Sequence, residues 1–129
     1  MMTMMMKAFL AVAVLVGGLG AFRDDDPETM MITLRPKAGA EAELKAVIAA
    51  HWDTARRLNL VQAEPHVTLE LKDETRAIYF VDVFTWRDRD IPDNAPEAIL
   101  KIWNDMNRLT APRDGRPGLD IREVKRIDR

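Results

Sequence analysis

Between Met30 and Ile127 the spacing of apolar residues switches between two, the period of a strand, and three to four, the period of a helix. Met30, Ile32 and Leu34 alternate with Met31, Thr33 and Arg35, and Pro36, which has no N–H to give a ladder, ends this first strand. After Gly39, the positions Leu44, Val47, Ile48, His51, Ala55 and Leu58 step by threes and fours through Glu41 to Leu60. The charged Glu43, Lys45, Asp53, Arg56 and Arg57 fall mostly outside that stripe. The pattern predicts an amphipathic helix with His51 on its buried face. Val67, Leu69 and Leu71 alternate with His66, Thr68, Glu70 and Lys72, and a turn at Asp73 and Glu74 leads into a third strand, Ala77 to Trp86. Asn94, with Glu97 three residues on, reads as a capping box opening a second helix, whose stripe is Ile99, Ile102, Trp103, Met106 and Leu109. A loop of Pro112, Gly115, Pro117 and Gly118 precedes a charged strand, Leu119 to Ile127, that suits a sheet edge.

The third strand is apolar on both faces: Ile78, Phe80, Phe84 and Trp86 oppose Ala77, Tyr79, Val81 and Val83. Two helices can cover one face of a four-stranded sheet, and the simplest cover for the other is a second copy of the same sheet. The predicted fold is therefore α+β, a ferredoxin-like βαββαβ unit. It has an antiparallel four-stranded sheet, two helices on one face, and a homodimer formed sheet to sheet.

Ahead of this domain, Lys7 precedes an uncharged run from Ala8 to Phe22, followed by Asp24, Asp25 and Asp26. As a helix the run spans roughly 22 Å, short of a ~30 Å hydrocarbon core, so it reads as a signal peptide over residues 1–22 and not as a stable membrane span. Residues 23–29 then form a linker and residues 30–129 the domain. The expected location is periplasmic or secreted; the alternative is a cytoplasmic protein starting at Met30 or Met31. A formal net charge of -2 and a pI near 5.7 argue against nucleic acid as a partner. Without cysteine, disulfides, thiolate-bound zinc and thiol nucleophiles are excluded.

Chemistry then rests on few side chains. Asp82 sits among aromatic residues on a central strand, where a carboxylate must pair, protonate or line a wet cavity. An imidazole of His51 oriented by Asp82 is the arrangement a proton-abstracting site needs, and such a pair would hold His51 partly charged, with its pKa raised. The other reading of His51 is a hydrogen-bonded core histidine. Trp86, Trp103, Phe80, Phe84 and Tyr79 wall an aromatic pocket if the space is hollow, and make plain core if it is filled. His66 and Glu70 share a strand face, but two ligands fall short of a metal motif and read as polar side chains facing solvent; no metal is assigned. No phosphate loop, dinucleotide fingerprint or Ser-His-Asp order is present, so no cofactor is expected.

The segment Phe80-Val81-Asp82-Val83-Phe84-Thr85-Trp86-Arg87-Asp88, with His51-Trp52-Asp53-Thr54-Ala55-Arg56-Arg57-Leu58, resembles the dimeric α/β-barrel superfamily, and most closely its antibiotic-biosynthesis-monooxygenase branch. The resemblance implies a homodimer with a central barrel and a small-molecule pocket between helices and sheet in each subunit. It also implies either cofactor-independent oxygenation of phenols and quinols or haem degradation. Haem-degrading members use an Asn on the first strand, a Trp near the end of the third and a His on the second helix. Trp86 takes the Trp place, but Met30 to Arg35 holds no Asn, and the second helix offers Trp103 and Asn104 but no His. The leading expectation is a cofactor-independent monooxygenase-like protein acting on an aromatic or phenolic small molecule through His51 and Asp82. The alternative is a non-catalytic small-molecule-binding or scaffold homodimer of the same fold.

Overall fold

The structure is a computed structural model and describes residues 26–128; the expected signal peptide and the first residues of the expected linker lie outside the described residues. Six main elements follow one another: β1 (Thr29–Leu34), α1 (Glu41–Arg57), β2 (Val61–Lys72), β3 (Ile78–Trp86), α2 (Glu97–Leu109) and β4 (Leu119–Val124), with a 3-10 turn at Pro92–Asn94 before α2. The sheet order is β2-β3-β1-β4 and every neighbouring pair is antiparallel. This is the α+β arrangement anticipated from the periodicity, and it is consistent with a ferredoxin-like fold.

The alternation of β1 decides which face is the core. Met30, Ile32 and Leu34 are buried, and their partners across the central ladder are Phe84, Asp82 and Phe80, so all six side chains lie on the helix-covered face. Above them α1 contributes Leu44, Ile48, His51 and Ala55, and α2 contributes Ile99, Trp103, Met106 and Leu109. The opposite face carries Met31 and Thr33 of β1, Tyr79, Val81 and Val83 of β3, and Val67, Leu69 and Leu71 of β2. Val67 and Leu69 remain 45% and 47% exposed there.

Element ends depart from the periodicity in four places. Apolar spacing carries the first helix to Leu60, but it stops at Arg57, because Asn59 turns into the left-handed region (φ 59°) and Leu60 N–H bonds back to Ala55. Asn94 does not cap α2: it belongs to the 3-10 turn, its side-chain amide donates to Asp90 carbonyl (3.0 Å), and Pro96 takes the cap position. β2 begins at Val61, well before His66, with an irregular register between the two. β4, at a sheet edge as expected, ends at Val124, leaving Ile127 exposed.

Two loops are fastened by specific chemistry. In the β2–β3 turn, Asp73 accepts hydrogen bonds from the Thr75 hydroxyl (2.6 Å) and from the Thr75 and Ala77 amides. The Thr75 hydroxyl first, then the amides and Arg113, hold its carboxyl down at about 2. Arg113, on the α2–β4 loop, reaches Asp73 (3.1 Å) and the carbonyls of Pro36 and Ile78, tying that loop to the hairpin. Gly118 lies against the Ala111 backbone so closely that a Cβ there would sit 2.6 Å from the Ala111 nitrogen.

Candidate functional site

The helix face of β3 presents Phe80, Asp82, Phe84 and Trp86 in sequence, and the neighbouring rungs decide what each meets. Tyr79 has the opposite parity and lies on the open face, beneath the Arg35 guanidinium (5.6 Å), so it does not join the other predicted pocket residues.

His51, Phe84, Trp86 and Trp103 form one aromatic cluster. Ring centroids are 5.4 Å apart for His51 and Phe84, 4.9 Å for Phe84 and Trp86, and 6.0 Å for Trp86 and Trp103, mostly edge to face. The indole N–H of Trp103 donates to His51 Nε2 at 2.9 Å. With 1% of its surface exposed, His51 has its pKa pushed down to about 4, chiefly by loss of solvation and further by the nearby His66. This is the opposite of the rise expected for a His51–Asp82 pair. The imidazole is neutral and its Nε2 lone pair is occupied, which makes it a satisfied core histidine.

The space walled by Trp86 and Trp103, with Met30, Ile32, Phe84 and Met106, measures about 20 Å³. A dry cavity that takes benzene is of order ~150 Å³, so this one does not admit an aromatic ring.

Asp82 finds different company. It is 2% exposed, and across the β2–β3 ladder it stands opposite Thr68, whose hydroxyl donates to Oδ1 at 2.7 Å. One rung away, His66 brings Nε2 to 3.3 Å from the same Oδ1. Burial raises the Asp82 pKa, while the Thr68 hydroxyl and the charge and hydrogen bond of His66 pull against that rise. His66 is in turn stacked face to face on Trp52, with centroids 3.5 Å apart and planes 6° from parallel; the Arg56 guanidinium lies 5.8 Å from the indole centroid.

Helix geometry explains why Trp52 reaches this place and His51 does not. Successive helical residues are ~100° apart, so α1 turns His51 into the core and Trp52 onto the flank above β2. Lys45, two turns earlier on the same flank, confirms the alignment by meeting Glu70 at 3.6 Å. Glu70 is engaged in that ion pair, and no group of three potential metal ligands occurs among the described residues.

His66 is partly open, with 24% of its side chain exposed, and its Nε2 also lies 3.3 Å from the Thr68 hydroxyl oxygen. It borders a groove of about 680 Å³ lined by Trp52, Glu64, Pro65, His66 and Arg126. A second groove of about 390 Å³ shares Pro65, Val67 and Arg126 and reaches Thr29 and Val83 on the open sheet face. The two therefore run round the edge of β2, from the imidazole to the uncovered side.

Sequence reasoning missed His66, Thr68 and Trp52 as a unit. The available signal was hairpin register: with Lys72 opposite Ile78, counting back by twos sets Thr68 against Asp82 and His66 against Phe84. A separate charged cluster closes the other end of the core, where Arg89 lies 3.3 Å from Glu123 and 3.9 Å from Glu28. Burial raises the pKa of both glutamates against the pull of Arg89.

No protein-family model, curated protein or solved structure matches this chain.

Proposed function

We propose that this chain is a homodimeric, cofactor-independent monooxygenase-like protein that oxidises an aromatic or phenolic small molecule. In this reading His66, oriented by Asp82, is the base. The observation that carries it is the His66–Asp82 contact at the rim of the 680 Å³ groove, beside the flat surface of Trp52. A groove of this volume lies in the range of small-molecule sites.

With Nε2–H turned toward Thr68 Oγ1 and Asp82 Oδ1, both 3.3 Å away, Nδ1 is the nitrogen that takes a phenolic proton, and the buried carboxylate faces the imidazolium that forms. The phenolate is electron-rich enough to reduce dioxygen directly. One oxygen atom enters the ring and the other leaves as water, so a phenol and dioxygen give a quinone and water without an added reductant.

The dimer is supported by the uncovered apolar face of Tyr79, Val81, Leu69 and Leu71. A partner sheet seated there would also overhang the groove where it reaches Val67 and Val83. A second reading, a non-catalytic ligand-binding or scaffold dimer, is favoured by the space beneath Trp86 and Trp103 being too small for an aromatic ring. Oxygen uptake with an electron-rich naphthol or hydroquinone separates the two. Uptake that is lost in His66→Ala and Asp82→Asn supports the oxidase; saturable binding of the same compound with no uptake supports the binding module.

A further inference from the structure

The 20 Å³ space beneath α2 has room for one water-sized molecule, yet it suits water badly. Ordered buried water makes two to four hydrogen bonds. Here the walls are Met30, Ile32, Phe84, Trp86, Trp103 and Met106, and the Trp103 N–H is already committed to His51. The Trp86 Nε1–H, which has no partner among the described residues, is buried with no surface open to the chamber, so an occupant would find no donor there.

We propose that this chamber binds dioxygen. A small apolar diatomic surrenders little hydration on entering. It gains dispersion contacts with two thioethers and two indoles, the most polarisable side chains a protein has.

The chamber also lies beside the proposed base. Met30 shares a rung with Phe84 and His66, and Ile32 shares the next with Asp82 and Thr68. The chamber therefore stands over β1 at the height of His66 on β2, about 10 Å away by strand spacing, with Phe84 and Asp82 of β3 between them. The choice of dioxygen among small apolar gases rests on the oxidation reading above; the affinity of the chamber for such a gas does not.

The test is paramagnetic relaxation under dissolved oxygen on the full chain labelled in its methionine methyl groups. Met31, on the open sheet face, reports random collision. The expected result is a larger oxygen-induced relaxation at the buried Met30 and Met106 than at Met31. The excess should be lost in Ile121→Phe, which places a ring in the chamber wall. Should that variant not fold, xenon-pressurised crystals of the unaltered chain serve instead, with a xenon peak expected beneath Trp86. An ordered water in the chamber overturns the proposal, as does relaxation at Met30 and Met106 no greater than at Met31. Gas binding without naphthol oxidation refutes the oxidation reading alone, and naphthol oxidation without gas binding refutes the chamber alone.

Discussion

His51 sets a pH dependence that can be read without any substrate. Its pKa is about 4 in the folded chain against an ordinary 6.5, so the unfolded chain takes up a proton first as the solution is acidified. Its contribution is present in full above 6.5 and is lost as the pH falls through that window to about 4. The loss is of order ~3 kcal/mol, at 1.36 kcal/mol per unit. Asp82, Glu28 and Glu123 act with the opposite sign. Their raised values mean that the folded chain binds protons more readily, so their stabilisation is present at low pH and lost as the pH rises through their folded pKa values. His51→Gln keeps an acceptor for Trp103 and removes the titration. The melting temperature followed from neutral pH to about pH 4 should therefore fall less in His51→Gln than in the parent chain, and an unchanged slope would place the titration elsewhere.

At the scale of elements, one close approach sets how β4 enters the sheet. Arg35 N–H bonds to Gly118 carbonyl (2.7 Å) and Gly118 lies on the Ala111 backbone, where a methyl group has no room. Gly118→Ala should destabilise by about 1–3 kcal/mol, as overpacking does, measured by denaturant midpoint with an unchanged slope. Gly39→Ala meets no neighbouring atom, and its strain is only that of the backbone angle. Much of this level was legible in the sequence, because period two and period three-to-four each mark a buried face, and Met30, Leu44, Phe84 and Trp103 fall where those periods put them. The ends of elements were less so: Asn59 stops α1 by its backbone angle, and Asn94 bonds its own turn. The His66–Asp82 contact was hidden for a different reason. Periodicity assigns a residue to a face, whereas this contact depends on register between two strands and on a helical flank, and neither leaves a trace in apolar spacing. The need of Asp82 for a partner was visible from burial alone; which histidine answered it was not.

For the whole molecule the uncovered sheet face is the deciding feature. A stable partner interface buries ~1,200–2,000 Å², and in the proposed dimer Leu69, Val81 and Val83 would supply its apolar centre. Light scattering should give twice the chain mass at micromolar concentration. Leu69→Glu, which sets a charge on that face at a half-exposed position, should give a single-chain mass with the far-ultraviolet dichroism of the parent.

The groove that begins at His66 does not stop at the edge of its own sheet; it continues past Pro65 to Val83, onto the surface where a second copy would sit. Each reaction centre would then have one wall on loan, and turnover per chain would cease to be a constant of the chain. Specific activity should decline on dilution in step with dissociation and return when inactive His66→Ala chains are added in excess, since those chains have no base of their own but still carry an intact sheet.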